Sequence, residues 1–246
     1  MIASDILRVC ELGRSGSRWR QALLLLAPEL PHLTMRQLAA LSLGRRNAYL
    51  LRMREGMLGV NLDAMTECPR CGTTLEFSFD LRSICRQDPH VSVERDYILE
   101  TNGYEIRYRP LNSHDLALLG GSTSLSDARA LLIRQSVVSA GYESLSIHAD
   151  SLPDTVLTDL ADSLSECDPQ MDTQILMNCP DCSLEWSVAL DVVSFFWREL
   201  EVLAHRFLGE VNILARVYGW SESAILSLSS NRRQTYLAMA RDAANG

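Results

Sequence analysis

Two copies of a short cysteine motif constrain this chain more than any other feature of its sequence. Residues 68–71 (CPRC) and 179–182 (CPDC) share the pattern Cys-Pro-x-Cys. The agreement extends beyond the cysteines, because residues 67–84 align without gaps with residues 178–195. In both copies apolar and polar residues alternate after the second cysteine, which predicts a half-buried strand. The chain therefore contains an internal repeat of a cysteine turn followed by a strand.

The cysteine spacing is typical of a zinc knuckle, in which a tight turn directs two thiolates at one metal ion. A structural zinc site takes four ligands in a tetrahedron, and each copy of the motif supplies two. In the simplest arrangement the two copies meet and share one structural zinc, as in a zinc ribbon, although four thiolates also suit iron. The predicted metal ligands are Cys68, Cys71, Cys179 and Cys182.

Other interpretations of the four cysteines stay open at this stage. They could be ordinary thiols in a protein without a metal. They could be redox-active, although a thioredoxin-like motif opens a helix, whereas an alternating strand follows each pair here. Disulfides are not expected, because residues 1–30 do not read as a secretion signal. Cys10, Cys85 and Cys167 lie outside the two motifs and are expected to be plain core or surface thiols.

The remaining sequence predicts an α+β protein with helices on both sides of the repeat. Asn102-Gly103 between two alternating runs, Val91–Leu99 and Tyr104–Tyr108, is a strong signal for a β-hairpin. Helical spacing from Phe196 to Tyr218 predicts a helix of about seven turns. Further helices are expected at 126–139 and 153–165, with a loop over 141–150.

These patterns divide the chain into five parts around a zinc-ribbon-like core formed by the two knuckles. The inserted part is expected to consist of a β-hairpin and helices. The predicted parts are an N-terminal helical part (1–60), a first zinc knuckle and strand (61–88), an acidic inserted α+β subdomain (89–172), a second zinc knuckle and strand (173–193) and a C-terminal helical part (194–246).

Charge is distributed unevenly along the chain. The formal net charge is −8, and all 23 basic residues are arginine. Residues 1–66 carry a net charge of +4, whereas residues 89–178 carry −9. This separation suits a protein that docks differently charged partners with its two halves. A net acidic chain is a poor candidate for sequence-independent nucleic-acid binding, which depends on neutralising phosphates.

No enzyme is predicted from these residues. Four thiolates fill the coordination shell of a zinc ion, so the site could not activate water. The five histidines are scattered, and the sequence contains no phosphate-binding glycine loop, nucleophile elbow or His-Glu-x-x-His motif. The alternative to a structural protein is a zinc-ribbon nucleic-acid-binding or transcription accessory protein. The acidic residues around the cysteines, Glu67, Glu76, Asp181 and Glu185, with only Arg70 opposing them, disfavour it.

Several stretches resemble a known family. Residues 43–55 (LGRRNAYLLRMRE), which lead into the first cysteine motif, are similar to the baseplate proteins of T-even-type contractile tails, including their baseplate hub assembly chaperones. Such proteins occur in phages and in phage-tail-like injection systems. Residues 109–116 (RPLNSHDL), 168–170 (DPQ) and 218–221 (YGWS) fit the same resemblance, which covers most of the chain after about residue 30.

The resemblance implies a non-enzymatic structural or chaperone-like protein of a contractile-tail baseplate. Its implied partners are hub or spike proteins of the particle, with no small-molecule substrate, nucleic acid or membrane span. It would be found in the bacterial cytoplasm during assembly and in the baseplate of the phage or tail-like particle. The arginine-bearing helix makes Arg45, Arg46 and Arg52 the candidate partner-binding residues.

Overall fold

The computed structural model describes residues 1–85, 95–121 and 124–245, and it contains both helices and strands as the sequence predicts. Three antiparallel sheets are present among these residues, two of two strands and one of four. The helices are α1 (Ala3–Gly13), α2 (Arg18–Leu26), α3 (Met35–Ala40), α4 (Leu43–Leu58), α5 (Leu81–Ile84), α6 (Ser113–Ala117), α7 (Leu125–Ser136), α8 (Asp154–Cys167), α9 (Val192–Tyr218), α10 (Glu222–Leu226) and α11 (Ser230–Asn245). The strands are β1 (Asn61–Glu67), β2 (Thr74–Asp80), β3 (Tyr97–Thr101), β4 (Tyr104–Tyr108), β5 (Val137–Tyr142), β6 (Leu145–Ile147), β7 (Gln174–Asn178) and β8 (Glu185–Ala189).

The largest hydrophobic core lies where α1, α2 and α4 pack against the N-terminal half of α9. Leu25, Leu50, Phe196 and Leu200 are fully buried there. Helix α9 has 27 residues, which corresponds to about 40 Å at 1.5 Å per residue, and it confirms the predicted long helix. The N-terminal helices α1, α2 and α4 therefore pack on one apolar stripe of α9.

Local sequence signals fix several helix ends. Thr34 is the N-cap of α3, and its hydroxyl accepts from the backbone N–H of Gln37 while the Gln37 side chain accepts from the backbone N–H of Thr34. This is the capping box expected from the sequence. Helices α4 and α9 end at Gly59 and Gly219, which adopt φ of +91° and +69°. Glycine is favoured at such positions because it has no Cβ to clash.

A second core forms where the four-stranded sheet, in the order β3-β4-β5-β6, packs against α8. The Asn102-Gly103 turn joins β3 to β4 with φ of +49° and +80°, which confirms the predicted hairpin. The part of the predicted first strand at 91–94 lies outside the described residues.

Two predictions in this inserted part are wrong. Helix α7 ends at Ser136 instead of 139, and the expected loop over 141–150 contains the end of β5 and all of β6. Strand β5 pairs with β4 and places Ala140 opposite Ile106. The pairing partner lies about 30 residues away in sequence, so local patterning alone did not reveal it.

A third, small core closes the C-terminal end. Leu214 of α9, Ile225 of α10 and Leu237 of α11 are buried together. A buried ion pair between Glu210 and Arg233 joins α11 to α9. Within the described residues no helix has the length and apolar character needed to cross a membrane.

Candidate metal centre

Each cysteine motif forms the tip of a two-stranded hairpin. β1 pairs with β2, and β7 pairs with β8, with Glu67 opposite Thr74 in the first hairpin and Asn178 opposite Glu185 in the second. The sequence predicted only the strand after each cysteine pair, so β1 and β7 were missed. Alternation is weak in β1 because its inward positions include the small residues Ala64 and Thr66. The repeated unit is therefore a whole hairpin.

The two tips share the same backbone hydrogen bonds. In the first tip the N–H of Gly72 donates to the carbonyl of Cys68 at 2.9 Å, and in the second the N–H of Ser183 donates to that of Cys179 at 2.9 Å. Gly72 and Ser183 both adopt positive φ, +75° and +56°. The left-handed backbone conformation costs a serine roughly 1–2 kcal/mol relative to its usual right-handed or extended conformations. The second tip therefore adopts this turn although Ser183 disfavours it.

The four cysteine thiols of the two tips converge at one point. All four Sγ atoms lie within 4.8 Å of one another. The Sγ atoms of Cys68 and Cys182 are 3.6 Å apart, and those of Cys71 and Cys179 are 3.5 Å apart. Both short contacts join one hairpin to the other. They are far longer than the roughly 2.05 Å bond of a disulfide, and the four cysteines are free.

This geometry fits a tetrahedral metal ion. Four sulfurs held about 2.3 Å from a zinc ion lie about 3.8 Å from one another, which is close to the observed separations. Cys68 and Cys179 are buried, with 2% and 0% exposure, whereas Cys71 is exposed and Cys182 is half-buried. The first cysteine of each pair thus faces the protein and the second faces the surface. The residues present could hold one metal ion between the hairpins.

The pKa values of Cys71 and Cys182, the second cysteines of the two motifs, shift in opposite directions. Hydrogen bonds from the Thr73 hydroxyl and from the Thr73 backbone N–H lower the pKa of Cys71 to about 6. Although the backbone N–H of Leu184 favours the Cys182 thiolate, burial and the neighbouring thiols raise the pKa of Cys182 to about 12. Within the cluster, Cys71 is therefore favoured as a thiolate and Cys182 as a neutral thiol.

The structure does not have the arrangement of a thioredoxin-like redox motif. Strands β2 and β8 follow the cysteine pairs, so no helix N-terminus lies there to stabilise a thiolate. Cys10 and Cys167 are partly buried at the edges of the two larger cores, and burial raises their pKa values to about 11 and about 12. The raised pKa values disfavour the reactive thiolate form of both side chains.

The three arginines predicted to bind a partner differ in placement. Arg52 is exposed, and Arg45 is partly buried with its guanidinium 6.0 Å from the centre of the Tyr49 ring. Arg46 is only 6% exposed, and its guanidinium donates to Asn47 Oδ1 and to Ser113 Oγ at 3.0–3.2 Å. Burial lowers the pKa of Arg46 to about 10. Arg46 is therefore an internal residue, which corrects the prediction at that position.

Arg46 belongs to a buried polar network at the start of α4. The Asn47 side-chain amide donates to the carbonyl of Gln170 at 3.2 Å, and the N–H of Gly44 donates to Asp168 Oδ2 at 2.8 Å. The network therefore joins residues 43–55, 109–116 and 168–170, three of the stretches that carry the family resemblance. Spacing in the sequence gave no sign that they meet.

These features define a mixed α/β protein whose most distinctive site is a four-cysteine cluster between two hairpins. A family model described as T4 bacteriophage base plate protein matches residues 32–197. The match spans more than half of the chain and both cysteine motifs, so the chain belongs to this family. No curated protein and no solved structure matches the chain significantly. The family indicates a structural role in a phage baseplate, in contact with other baseplate proteins.

Proposed function

We propose that this chain is a non-enzymatic structural or assembly protein of a contractile-tail baseplate, stabilised by one structural zinc ion. The observation that carries the proposal is the convergence of four thiols, from two motifs far apart in sequence, within a chain of the baseplate family. The two hairpins would form a zinc-ribbon-like core. The particle is a phage tail or a phage-tail-like injection system, assembled in the bacterial cytoplasm.

A structural zinc would serve this protein by joining the two ends of its insertion. Residues 72–178 leave one hairpin tip and return at the other, and holding such a long loop closed costs conformational entropy. The four thiolates of Cys68, Cys71, Cys179 and Cys182 would offset that cost, because structural zinc binding contributes directly to folding. With every coordination position occupied by sulfur, the ion has none left for a substrate, which supports a non-enzymatic role.

The partner surface proposed from the sequence remains on α4, with Arg45 and Arg52 as its members. Both belong to residues 1–66, the part of the chain that carries a net positive charge. An acidic surface on a hub or spike protein would suit them. Arg46 is left out because its guanidinium is committed inside the chain.

Native mass spectrometry of the protein purified from its own source tests the metal site and the partner together. We expect one zinc ion per chain and a baseplate hub or spike protein bound to it. Elemental analysis distinguishes zinc from iron. A metal-free chain would contradict the structural zinc, and a metal-loaded chain that never associates with baseplate components would contradict the assembly role.

Two cysteine variants test whether one zinc ion is shared by the four cysteines. Cys68→Ser should weaken zinc binding and lower its occupancy, because one of the four thiolates is lost. Cys167→Ser is the matched control: Cys167 lies outside the cluster, and a serine hydroxyl could keep its hydrogen bond to the carbonyl of Leu164. Full zinc occupancy in Cys68→Ser would show that the metal is not shared by the four cysteines.

A further inference from the structure

A hydrogen bond between side chains crosses from one hairpin tip to the other beside the thiols. The hydroxyl of Thr73 in the first tip donates to Asp181 Oδ2 in the second tip at 2.7 Å. A longer contact, from Arg70 Nη1 to the carbonyl of Cys182 at 3.4 Å, crosses in the same place. The first bond is short and has a charged acceptor, so it is the stronger of the two. The tips are thus connected without any metal.

Thr73 also contacts a predicted ligand. Its Oγ1 lies 3.3 Å from Cys71 Sγ. Thr73 Oγ1 thus lies within hydrogen-bond distance of a sulfur in the first tip and a carboxylate oxygen in the second, with a single hydroxyl proton for the two. Cys71, Thr73 and Asp181 therefore form a continuous line of polar contacts from the first tip to the second.

We propose that Thr73 and Asp181 are positioning residues of the four-thiol centre, which connect the two tips and hold Cys71 in place before a metal binds. This inference rests on the metal site proposed above and adds residues outside the ligand set. Metal then enters a site whose halves are already together, so less of its binding free energy is spent on assembling them. Side chains that orient metal ligands typically change metal affinity about 10–100-fold when they are removed.

The repeat shows that this bond is not a by-product of the hairpin backbone. In the aligned copy, Leu184 occupies the place of Thr73, and Arg70 occupies the place of Asp181. A leucine side chain has no hydrogen-bonding group, so the second tip offers no equivalent of the Thr73 hydroxyl. The two tips have the same backbone turn, but only the first has a hydroxyl at the position of Thr73. The bond to Asp181 therefore depends on that one oxygen atom.

The experiment measures zinc affinity by competition with a chromophoric chelator in the full-length protein. The variants are Thr73→Val, which keeps the shape and removes the hydroxyl, and Asp181→Ala, which removes the acceptor carboxylate. Thr74→Val is the matched control, because Thr74 is exposed and is the next residue in the chain. We expect about tenfold weaker zinc binding in the two variants, at the low end of the usual range because the site is at the surface. The control should stay within about twofold of the wild type.

Two further measurements show whether the residues act as proposed. Cobalt in place of zinc should give the same charge-transfer and ligand-field absorption in all variants, because the four sulfur ligands are unchanged. The double variant should bind zinc about as weakly as either single variant, because both remove the same bond. Wild-type affinity in both single variants, or fully additive losses, would overturn the proposal.

Hydrogen exchange on the metal-free protein separates this inference from the proposed zinc site. The backbone amides of Gly72 and Ser183, which hold the two tip turns, should exchange faster in Thr73→Val and Asp181→Ala than in Thr74→Val. If the wild type binds no zinc, the metal site fails, and this comparison still tests the connection between the tips. Equal exchange in all three variants would overturn the connection even if zinc binds.

Discussion

Gly44 and Asp168 touch at a point where no side chain larger than hydrogen fits on residue 44. The N–H of Gly44 donates to Asp168 Oδ2 at 2.8 Å, and a Cβ on residue 44 would lie 1.9 Å from Asp168 Oδ1. Asp168 is 2% exposed, so its carboxylate has little room to move. The contact joins the first turn of α4 to the segment that leads into the second hairpin.

Gly44→Ala should therefore destabilise the protein by about 2 kcal/mol or more, since it forces the buried Asp168 carboxylate off its hydrogen bond. The free energy of unfolding from urea titration measures the effect. Gly56→Ala in the same helix is the control, because nothing lies within 4 Å of a Cβ there. Alanine is the better helix former, so the control should gain about 0.5–1 kcal/mol. Equal stability of the two variants would contradict the close contact.

Arg46→Met should lower the free energy of unfolding by about 2–3 kcal/mol. The substitution keeps an unbranched side chain but leaves buried Asn47 Oδ1 and Ser113 Oγ without the guanidinium that contacts them. Arg52→Met on the exposed face of the same helix should change stability by no more than about 0.5 kcal/mol. Chemical denaturation of both variants gives the comparison. Similar losses of stability in the two would contradict a stabilising role for the buried hydrogen bonds of Arg46.

In the metal-free protein, Cys71 should be the thiol of the cluster that reacts first with iodoacetamide near pH 7. Hydrogen bonds from Thr73 lower its pKa from 9.0 to about 6, and it is exposed. The thiolate is the reactive form, so the labelling rate should rise with pH around a midpoint of about 6. Cys182, whose pKa is raised to about 12, should be labelled slowly. Peptide mass spectrometry identifies the labelled residue.

The same shift has a consequence for stability with a defined sign. Folding lowers the pKa of Cys71, so the folded metal-free protein favours the thiolate relative to the unfolded chain. This contribution to the free energy of unfolding is complete above pH 9 and is lost as the pH falls from about 9 to about 6. Replacing Cys71 with serine should remove that part of the pH dependence. An unchanged pH profile in Cys71→Ser would assign the titration to another group.

Nucleic acid should bind weakly, if at all, and without the steep salt dependence of phosphate recognition. The exposed residues around the thiols are mostly acidic, with Glu67, Glu76, Asp181 and Glu185 facing solvent and only Arg70 opposing them. Filter binding with duplex and single-stranded DNA over a salt series checks this expectation. An affinity that falls steeply with salt would favour the zinc-ribbon nucleic-acid-binding alternative.

The helix caps and one hairpin turn could be predicted because their causes are local, and the cysteine cluster could be predicted because its two halves are copies of one motif. Two cysteines separated by two residues determine which thiols a tight turn presents, and the repeat indicated that the two pairs belong together. Thr34 with Gln37, and Asn102 with Gly103, specify their cap and turn through bonds within a few residues. The cap and the turn need no information from a distant part of the chain, and the meeting of the two cysteine pairs was inferred from the repeat alone.

Only the tertiary structure decided what depends on residues distant in sequence. β5 exists because β4 offers it a partner, and β1 and β7 complete hairpins whose patterns were too weak to read alone. In the sequence, Arg46 could not be told apart from Arg45 and Arg52 as a surface residue of the same helix. In the folded chain, Ser113 and Gln170 pack over the start of α4, and Arg46 is buried beneath them. Strand pairing and burial depend on two segments of the chain that meet in the folded protein. The residue pattern within one segment does not show which other segment will pack against it.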